Sequence, residues 1–360
     1  MIENIIDKFA FEGELDSYKT SGSGLINVTY TLCFLMPGGK IHKYILQRIN
    51  TDIFTEPEAL MENIEKVTGY IREMAIKEGK DPQKSTLRII KTIKDELYHK
   101  DAQGGFWRAY DFIEGCVTHD KVSKPEDFYK AGVALGDFQK TLQDYPSHEL
   151  VETIKNFHNT PSRYNDLLKA IEENCVGRKD SVAKEIEFFK ERADFYSIVT
   201  DGIANGSIPL RVTHNDTKFN NVMLDEKTGD VACFIDLDTV MPGSALYDFG
   251  DSIRSGTNTA AEDEKDVNKI NFDIKLFEVY AKGYLSRMRD SLTETEIRLL
   301  PESAILLTLE CGMRFLTDYL KGDVYFSTSR EGQNLDRARG QIKLASEMEK
   351  NIEIMRSIIR

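Results

Sequence analysis

The stretch THNDTKFNNVML, residues 213–224, gathers one histidine, one aspartate, one lysine and three asparagines ahead of an apolar run. Read alone, it is either a crowded polar loop or the floor of a site. The residues after it decide between the two. Val222-Met223-Leu224 form a short strand, DEKTG (225–229) is turn chemistry, and VACFI (231–235) is a second, buried strand ending at Asp236. A hairpin of this length predicts that Asp236 returns beside Asn221, bringing two oxygen ligands together.

Working outward, the first 113 residues read as strands with one long helix. Leu15–Thr20 and Val28–Leu35 are rich in β-formers, and Val28, Tyr30, Leu32 and Phe34 alternate with Thr29, Thr31 and Cys33. The turn Pro37-Gly38-Gly39 leads to a third strand, Lys40–Ile49. A helix opened by Thr55 and Pro57 carries Leu60, Met61, Ile64, Val67 and Ile71 on one face. Two more strands are expected at Leu87–Ile93 and Phe106–Phe112, with Trp107 in the core.

Beyond Gly115 helical patterns take over: 127–142, 163–173, 180–201, 272–288, 294–321 with a break expected near Pro301, and 334–359. Only 210–240 looks β again. The fold class is therefore α+β and bilobal, with a small β-rich lobe (1–113) joined to a larger, mostly helical lobe (114–360).

Asp216 and Asn221 stand five apart, with His214 two before the aspartate. That is the H-x-D-x-x-x-x-N spacing of phosphoryl-transfer loops. An aspartate there accepts the proton of an attacking hydroxyl and aims its oxygen in line with the γ-phosphate. An asparagine oxygen holds Mg²⁺ without adding negative charge beside a triphosphate. Lys218 puts a cation on the moving phosphoryl group. Asp248-Phe249-Gly250 spells the DFG of kinase metal sites, but no buried strand precedes it. Asp236 ends a strand, so the metal is assigned to Asp236, and Asp248 is expected to bond loop backbone or to cap a following helix. No A-P-E motif follows, which argues against a protein kinase.

Composition narrows the class further. With 41% hydrophobic and 30% charged residues the chain is an ordinary globular protein. A formal charge of −13 with no basic run argues against a nucleic-acid partner. No apolar run reaches membrane-spanning length, so no membrane partner is expected. The five cysteines form no CxxC pair and no zinc spacing, and read as reduced thiols of a cytoplasmic protein. The acidic start MIENIIDKFAFEGELD predicts against export.

HNDTKFNN, FIDLDT and YDFGDSIR resemble the aminoglycoside phosphotransferase and choline kinase superfamily. More narrowly, RVTHNDTKFNNVM, IDLDTVMPGSALYDFGDSIR and ECGMRFLTDYLKGDVYF are similar to the bacterial N-acetylhexosamine 1-kinases, as are YILQRINT, FWRAYDFIEG and SIPLRVTHND. The resemblance implies a protein-kinase-like fold, ATP held between two lobes, and Mg²⁺ on Asn221 and Asp236. It implies phosphorylation of the anomeric hydroxyl of N-acetylglucosamine or N-acetylgalactosamine, with Asp216 as base and Arg314 and Tyr325 as sugar contacts. A buried arginine beside the acceptor would repel a polycation and suit a neutral sugar; the alternative for Arg314 is an ion pair with Asp318, four residues on.

On the nucleotide side, Gly22 and Gly24 in SGSG fit a phosphate-covering loop or a plain hairpin turn. Asn27 follows and is expected to fix that loop. Gln47 stands where kinases carry a strand lysine. Either it binds phosphate as a neutral donor, or Lys218 and Mg²⁺ carry that burden. Glu65 is a possible partner for it, or a solvated helix residue. Tyr110 and Phe112 flank backbone suited to reading an adenine edge. Asp251 and Arg254 either touch sugar hydroxyls or pair with each other. Rival readings are a kinase for an aminoglycoside, choline or homoserine, and a nucleotide-binding regulator without turnover.

Overall fold

The computed structural model describes residues 2–20, 26–119 and 121–360. Gly22 and Gly24 therefore lie outside the described residues. In chain order the elements are α1 (Glu3–Ile6), β1 (Glu14–Thr20), β2 (Val28–Leu35), β3 (Ile41–Ile49), α2 (Pro57–Lys77), α3 (Pro82–Ser85), β4 (Ile89–Ile90), β5 (His99–Lys100), β6 (Phe106–Asp111) and β7 (Cys116–Val117). There follow α4 (Pro125–Thr141), α5 (Thr160–Glu173), α6 (Ala183–Lys190), α7 (Ile198–Ala204), β8 (Arg211–Thr213), β9 (Val222–Asp225), β10 (Val231–Phe234) and β11 (Met241–Gly243). The chain closes with α8 (Ala245–Gly256), α9 (Ile274–Met288), α10 (Glu294–Lys321), α11 (Gln333–Lys350) and α12 (Ile352–Ile359).

Two compact units result. The first comprises Met1–Val117, Asp144–Lys155 and Met223–Met241. Its main sheet runs β1-β2-β3-β6-β4, with β5 also on β6. Strand alternation sends Leu32 and Phe34 of β2 and Tyr44 and Leu46 of β3 into one core with Trp107, Ala109, Ile6 and Phe9. Each of the leucine, isoleucine and phenylalanine side chains contributes about 1.5–3 kcal/mol by leaving water. Trp107 is core, as expected, and its indole N–H reaches Asp101 Oδ2 at 2.7 Å. The five apolar residues predicted for one face of α2 are all buried. Glu56, not Thr55, holds the cap position of that helix. The expected strand at 87–93 contracts to Ile89–Ile90, which pairs with Ala109 and Tyr110. The hairpin of β9 and β10 forms as predicted, and β9 also pairs with β7.

The second unit comprises Thr118–Gln143, Asn156–Val222 and Pro242–Arg360 and is mostly helical. α10 is its centre. It runs unbroken through Pro301, against the expected break, because Leu299–Glu310 is buried on every side. That burial outweighs the roughly 3 kcal/mol cost of an interior proline. The helix predicted at 180–201 is instead α6 and α7 with short 3₁₀ turns around them. α6 ends where side chains take its last carbonyls: Tyr196 Oη donates to Phe189 O at 2.6 Å and Arg192 Nη1 to Phe188 O at 2.7 Å. The span 334–359 divides at Asn351, whose Nδ2 donates to Glu347 O at 2.8 Å and separates α11 from α12.

Candidate active site

In the second unit the polar loop after β8 is tied down at almost every residue. His214 and Asn215 donate their backbone N–H groups to the Asp248 carboxylate at 3.1 and 2.7 Å. Thr217 Oγ1 donates to Asp248 O at 2.6 Å, and Ser252 Oγ donates to Thr217 O at 2.9 Å. Asn215 takes a left-handed backbone, φ 64°, which its short polar side chain tolerates. The Asp216 N–H donates to His214 Nδ1 at 3.2 Å, so that ring nitrogen is the acceptor.

Asp216 emerges from this frame with a quarter of its side chain exposed. Its Oδ2 accepts from Asn221 Nδ2 at 3.0 Å and pairs with Lys218 Nζ at 3.1 Å. Among the described residues Oδ1 has no partner, which leaves one carboxylate oxygen to take a proton from an incoming hydroxyl. Asn221 is buried, and its amide nitrogen is held by Asp216 O at 2.8 Å as well as by Oδ2. Its carbonyl Oδ1 is therefore turned the other way, as an acceptor. Such a group fits a hard cation.

Asp248 is not the cap of a following helix. Ser244 caps α8, accepting from Leu246 N at 3.2 Å, and Asp248 already lies in the first turn. Wholly buried, it spends both oxygens on the loop and on Gln139 Nε2 at 2.9 Å. Burial pushes its carboxyl up, against the pull of His214 and these donors. Gly250 lets α8 approach α10: a Cβ there would stand 2.5 Å from Ser303 O. The DFG spelling is thus a loop clamp and a packing contact.

Asp251 forms the internal pair, Oδ1 receiving Arg254 Nη2 at 2.7 Å and Nε at 3.0 Å. Its Oδ2 is buried with no hydrogen bond among the described residues. Burial raises the Asp251 carboxyl, but Arg254, then His158 and Lys218, hold it below the usual carboxylate range. Asp251 thus stays ionised with one oxygen still to satisfy.

Three residues not singled out from the sequence complete this region. His158 is buried, with Nε2 3.0 Å from Asn215 O and Nδ1 2.7 Å from Glu310 Oε1. Thr160 Oγ1 donates to Glu310 Oε2 at 2.6 Å. A carbonyl oxygen only accepts, so His158 Nε2 must carry hydrogen. Glu310 on α10 is thereby linked through one ring to the residue beside Asp216. One turn further, Arg314 faces three aromatic rings: Phe157 at 5.2 Å, Phe326 at 5.5 Å and Tyr325 at 6.0 Å. The ion pair of Arg314 with Asp318 is replaced by other partners. Asp318 accepts the N–H groups of Val324, Tyr325 and Phe326 at 2.8–2.9 Å and so shapes the loop that carries Tyr325.

The first unit holds the remaining candidates. Asp236 follows β10 in a left-handed conformation, φ 62°, with an exposed side chain. Two residues on, Asp238 is buried. Its carboxylate takes both terminal nitrogens of Arg108 and, at 2.7 Å, Asn27 Nδ2. Asn27 Oδ1 accepts Asn50 N–H at 2.9 Å. Gln47 Oε1 accepts Arg108 Nε at 3.0 Å and its Nε2 donates to Thr29 Oγ1 at 3.0 Å. Arg108, not Glu65, is therefore the charged partner of Gln47. Tyr110 is buried with Arg108 over its ring at 5.2 Å, and Phe112 is half-buried beneath Lys43. Among the described residues no group of three or more His, Cys, Asp or Glu could hold a metal by itself.

A family model described as the phosphotransferase enzyme family matches residues 43–292. Several solved structures share the fold. An aminoglycoside phosphotransferase from Alicyclobacillus acidocaldarius is 12% identical, with a TM-score of 0.59 over 100% of this chain and 96% of its own. A spectinomycin phosphotransferase in complex with ADP and spectinomycin is 12% identical, with a TM-score of 0.60 over 98% of this chain and 97% of its own. A choline kinase from Cryptosporidium parvum is 14% identical, with a TM-score of 0.57 over 95% and 91%. The architecture is the predicted α+β, protein-kinase-like one: a β-sheet N-terminal region, then a mostly helical C-terminal region.

Proposed function

Because this chain belongs to the phosphotransferase enzyme family, we propose that it transfers the γ-phosphate of ATP to the anomeric hydroxyl of N-acetylglucosamine or N-acetylgalactosamine, giving the sugar 1-phosphate and ADP. Family membership supplies the class, a small-molecule kinase of the aminoglycoside phosphotransferase and choline kinase type. The acceptor is our own reading. The observation that carries it is Arg314. Its guanidinium already faces the three rings of Phe157, Tyr325 and Phe326, so those rings are engaged by the protein's own cation. Arg163 stands close enough to Arg314 to feel its charge. The rings that could cage an ammonium are thus occupied by Arg314, and arginine donors suit a neutral sugar, whose hydroxyl and acetamido oxygens accept hydrogen bonds.

In this reading Asp216 Oδ1 takes the proton of the sugar hydroxyl, and Lys218 steadies charge on the transferring group. Asn221 Oδ1 and Asp236 would hold Mg²⁺, which when bound neutralises charge on the β- and γ-phosphate oxygens. Arg314 and Tyr325 orient the sugar, and the open Oδ2 of Asp251 accepts one of its donors. Residues 1–113 would form the nucleotide lobe, with the backbone around Tyr110 and Phe112 at the adenine. Residues 114–360 carry the catalytic loop and the sugar site. Asn27 and Gln47 serve the nucleotide side through Asp238 and Arg108, to which their side chains are bonded.

The test is ADP release with ATP and Mg²⁺ over a panel of both N-acetylhexosamines, glucose, galactose, choline, homoserine and kanamycin. Turnover confined to the N-acetylhexosamines, with a phosphorus signal of an anomeric phosphate, is the expected result. Turnover on an amine would keep the kinase and overturn the sugar. ATP binding with no turnover on any member of the panel would favour a regulator.

A further inference from the structure

Across β2, β3 and β6 three side chains stand in one row. Thr29 is opposite Gln47, and Gln47 is opposite Arg108. Hydrogen bonds run along the row from Gln47 to Thr29 and from Arg108 to Gln47, each 3.0 Å long. The row ends on a buried ion pair, since Arg108 and Asp238 keep only 2% and 4% of their side chains exposed. Asp238 lies in the 3₁₀ turn Leu237–Thr239, which begins directly after Asp236. That turn is fixed at several points. Asp238 Oδ2 also receives Asn27, Asp238 O receives Thr153 Oγ1 at 3.0 Å, and Val240 O receives Asn63 Nδ2 at 3.0 Å.

We propose that the forked Arg108–Asp238 pair is the positioning device of Asp236: it pins the turn to the sheet and so sets where the Asp236 carboxylate stands. The same geometry explains Gln47. Arg108 already places a cation on this face of the sheet, committed to Asp238. A lysine at position 47 would set a second cation within hydrogen-bonding reach of it. A neutral side chain that accepts from Arg108 and donates to Thr29 satisfies the row without that repulsion. Asp236 is displayed on a left-handed residue with an exposed side chain, directly before the turn that the Arg108–Asp238 clamp holds, so the clamp bears on where it stands. Partners behind a metal ligand typically govern affinity by 10–100-fold.

The inference rests on the reading of Asp236 as a metal-binding carboxylate, and the experiment separates the two. Binding of Mn²⁺ to the full-length protein with ADP is followed by the loss of the free Mn²⁺ spin-resonance signal, with no acceptor present. Denaturant midpoints are measured on the same samples. Asp236→Asn should weaken Mn²⁺ binding; if it does not, the metal assignment fails and the positioning role goes with it. Arg108→Lys keeps the charge but loses the fork, and should weaken Mn²⁺ about 10-fold or more. The double variant Arg108→Met/Asp238→Leu removes both buried charges together. It should recover the denaturant midpoint lost in Arg108→Met alone while Mn²⁺ affinity stays low. If Asp236→Asn weakens binding but Arg108→Lys and the double variant bind Mn²⁺ like the parent, the pair is merely structural and the proposal is overturned.

Discussion

At the scale of single residues, the loop around Asp216 separates holding from reacting. Oδ2 is tied to Asn221 and Lys218, and Oδ1 is the oxygen left for chemistry. Asp216→Asn keeps the shape of the side chain and of the loop but removes the carboxylate that we propose as the base. Its kcat should fall by about 10²–10⁴-fold while the KM for ATP moves by no more than a few-fold. A comparable loss in ATP binding, read by titration calorimetry, would mean that the aspartate holds nucleotide instead. His158 acts one step back, since its ring joins Asn215 O to Glu310. Burial raises the Glu310 carboxyl, but His158, Thr160 and Arg314 together bring it below its ordinary 4.5. The folded protein therefore favours the ionised form. This stability is fully present above about pH 4.5 and is lost as the pH falls through the lower folded value. Glu310→Gln should cost roughly 1–3 kcal/mol at neutral pH by leaving His158 and Thr160 without their buried carboxylate partner. The same substitution should flatten the fall of stability on the acid side, measured by urea unfolding at several pH values.

At the scale of elements, packing decides more than propensity. α8 must lie against α10 closely enough for Asp248 to reach the loop, and Gly250 permits it. Alanine has the better helix propensity by about 1 kcal/mol, yet Gly250→Ala should destabilise by about 1–3 kcal/mol because its Cβ meets Ser303 O and Leu307. Gly69, in α2, has nothing within 4 Å of its Cβ direction. Gly69→Ala should therefore stabilise by roughly 0.5–1 kcal/mol. Thermal or denaturant unfolding of the two variants tests the contrast, and equal signs would sink it. The same distinction explains what the sequence made legible. β2, β3 and α2 follow local periodicity and lie where it puts them. The hairpin of β9 and β10 was readable because turn residues sit between two apolar runs. The join at Asn351 and the ends of α6 depend on particular side chains taking orphan carbonyls, which periodicity does not encode. Asp216, Lys218 and Asn221 were legible because they fall within six residues. Arg108 with Asp238 and His158 with Glu310 are 130 and 152 residues apart, so no spacing could announce them. The one hint was the second aspartate of FIDLDT.

At the scale of the whole molecule, charge is the lever. The chain carries 60 acidic against 47 basic residues, a formal −13, and among the described residues no helix is long and apolar enough to cross a membrane. A field of that sign would draw in a cationic acceptor from a distance, and salt would weaken the attraction, since exposed charges more than about 10 Å apart are largely screened at 0.1 M. Arg163 and Arg314 bring two cations together beside the carboxylates of Glu310 and Asp166, so this region does not share the one-sided sign of the chain as a whole. A cationic acceptor would be attracted by the protein at large and would meet those arginines where we propose the acceptor binds. A neutral acceptor would feel neither. With ATP and Mg²⁺ saturating, kcat/KM for the N-acetylhexosamine should stay within about two-fold from roughly 0.05 to 0.5 M salt, because only screened charge–charge terms respond to ionic strength. A several-fold decline over the same range would point to a charged acceptor drawn in by the acidic surface. Arg314→Met supplies the complementary arm. It should raise the KM for the sugar while leaving the salt profile flat, since what it removes is a local donor and not a long-range field.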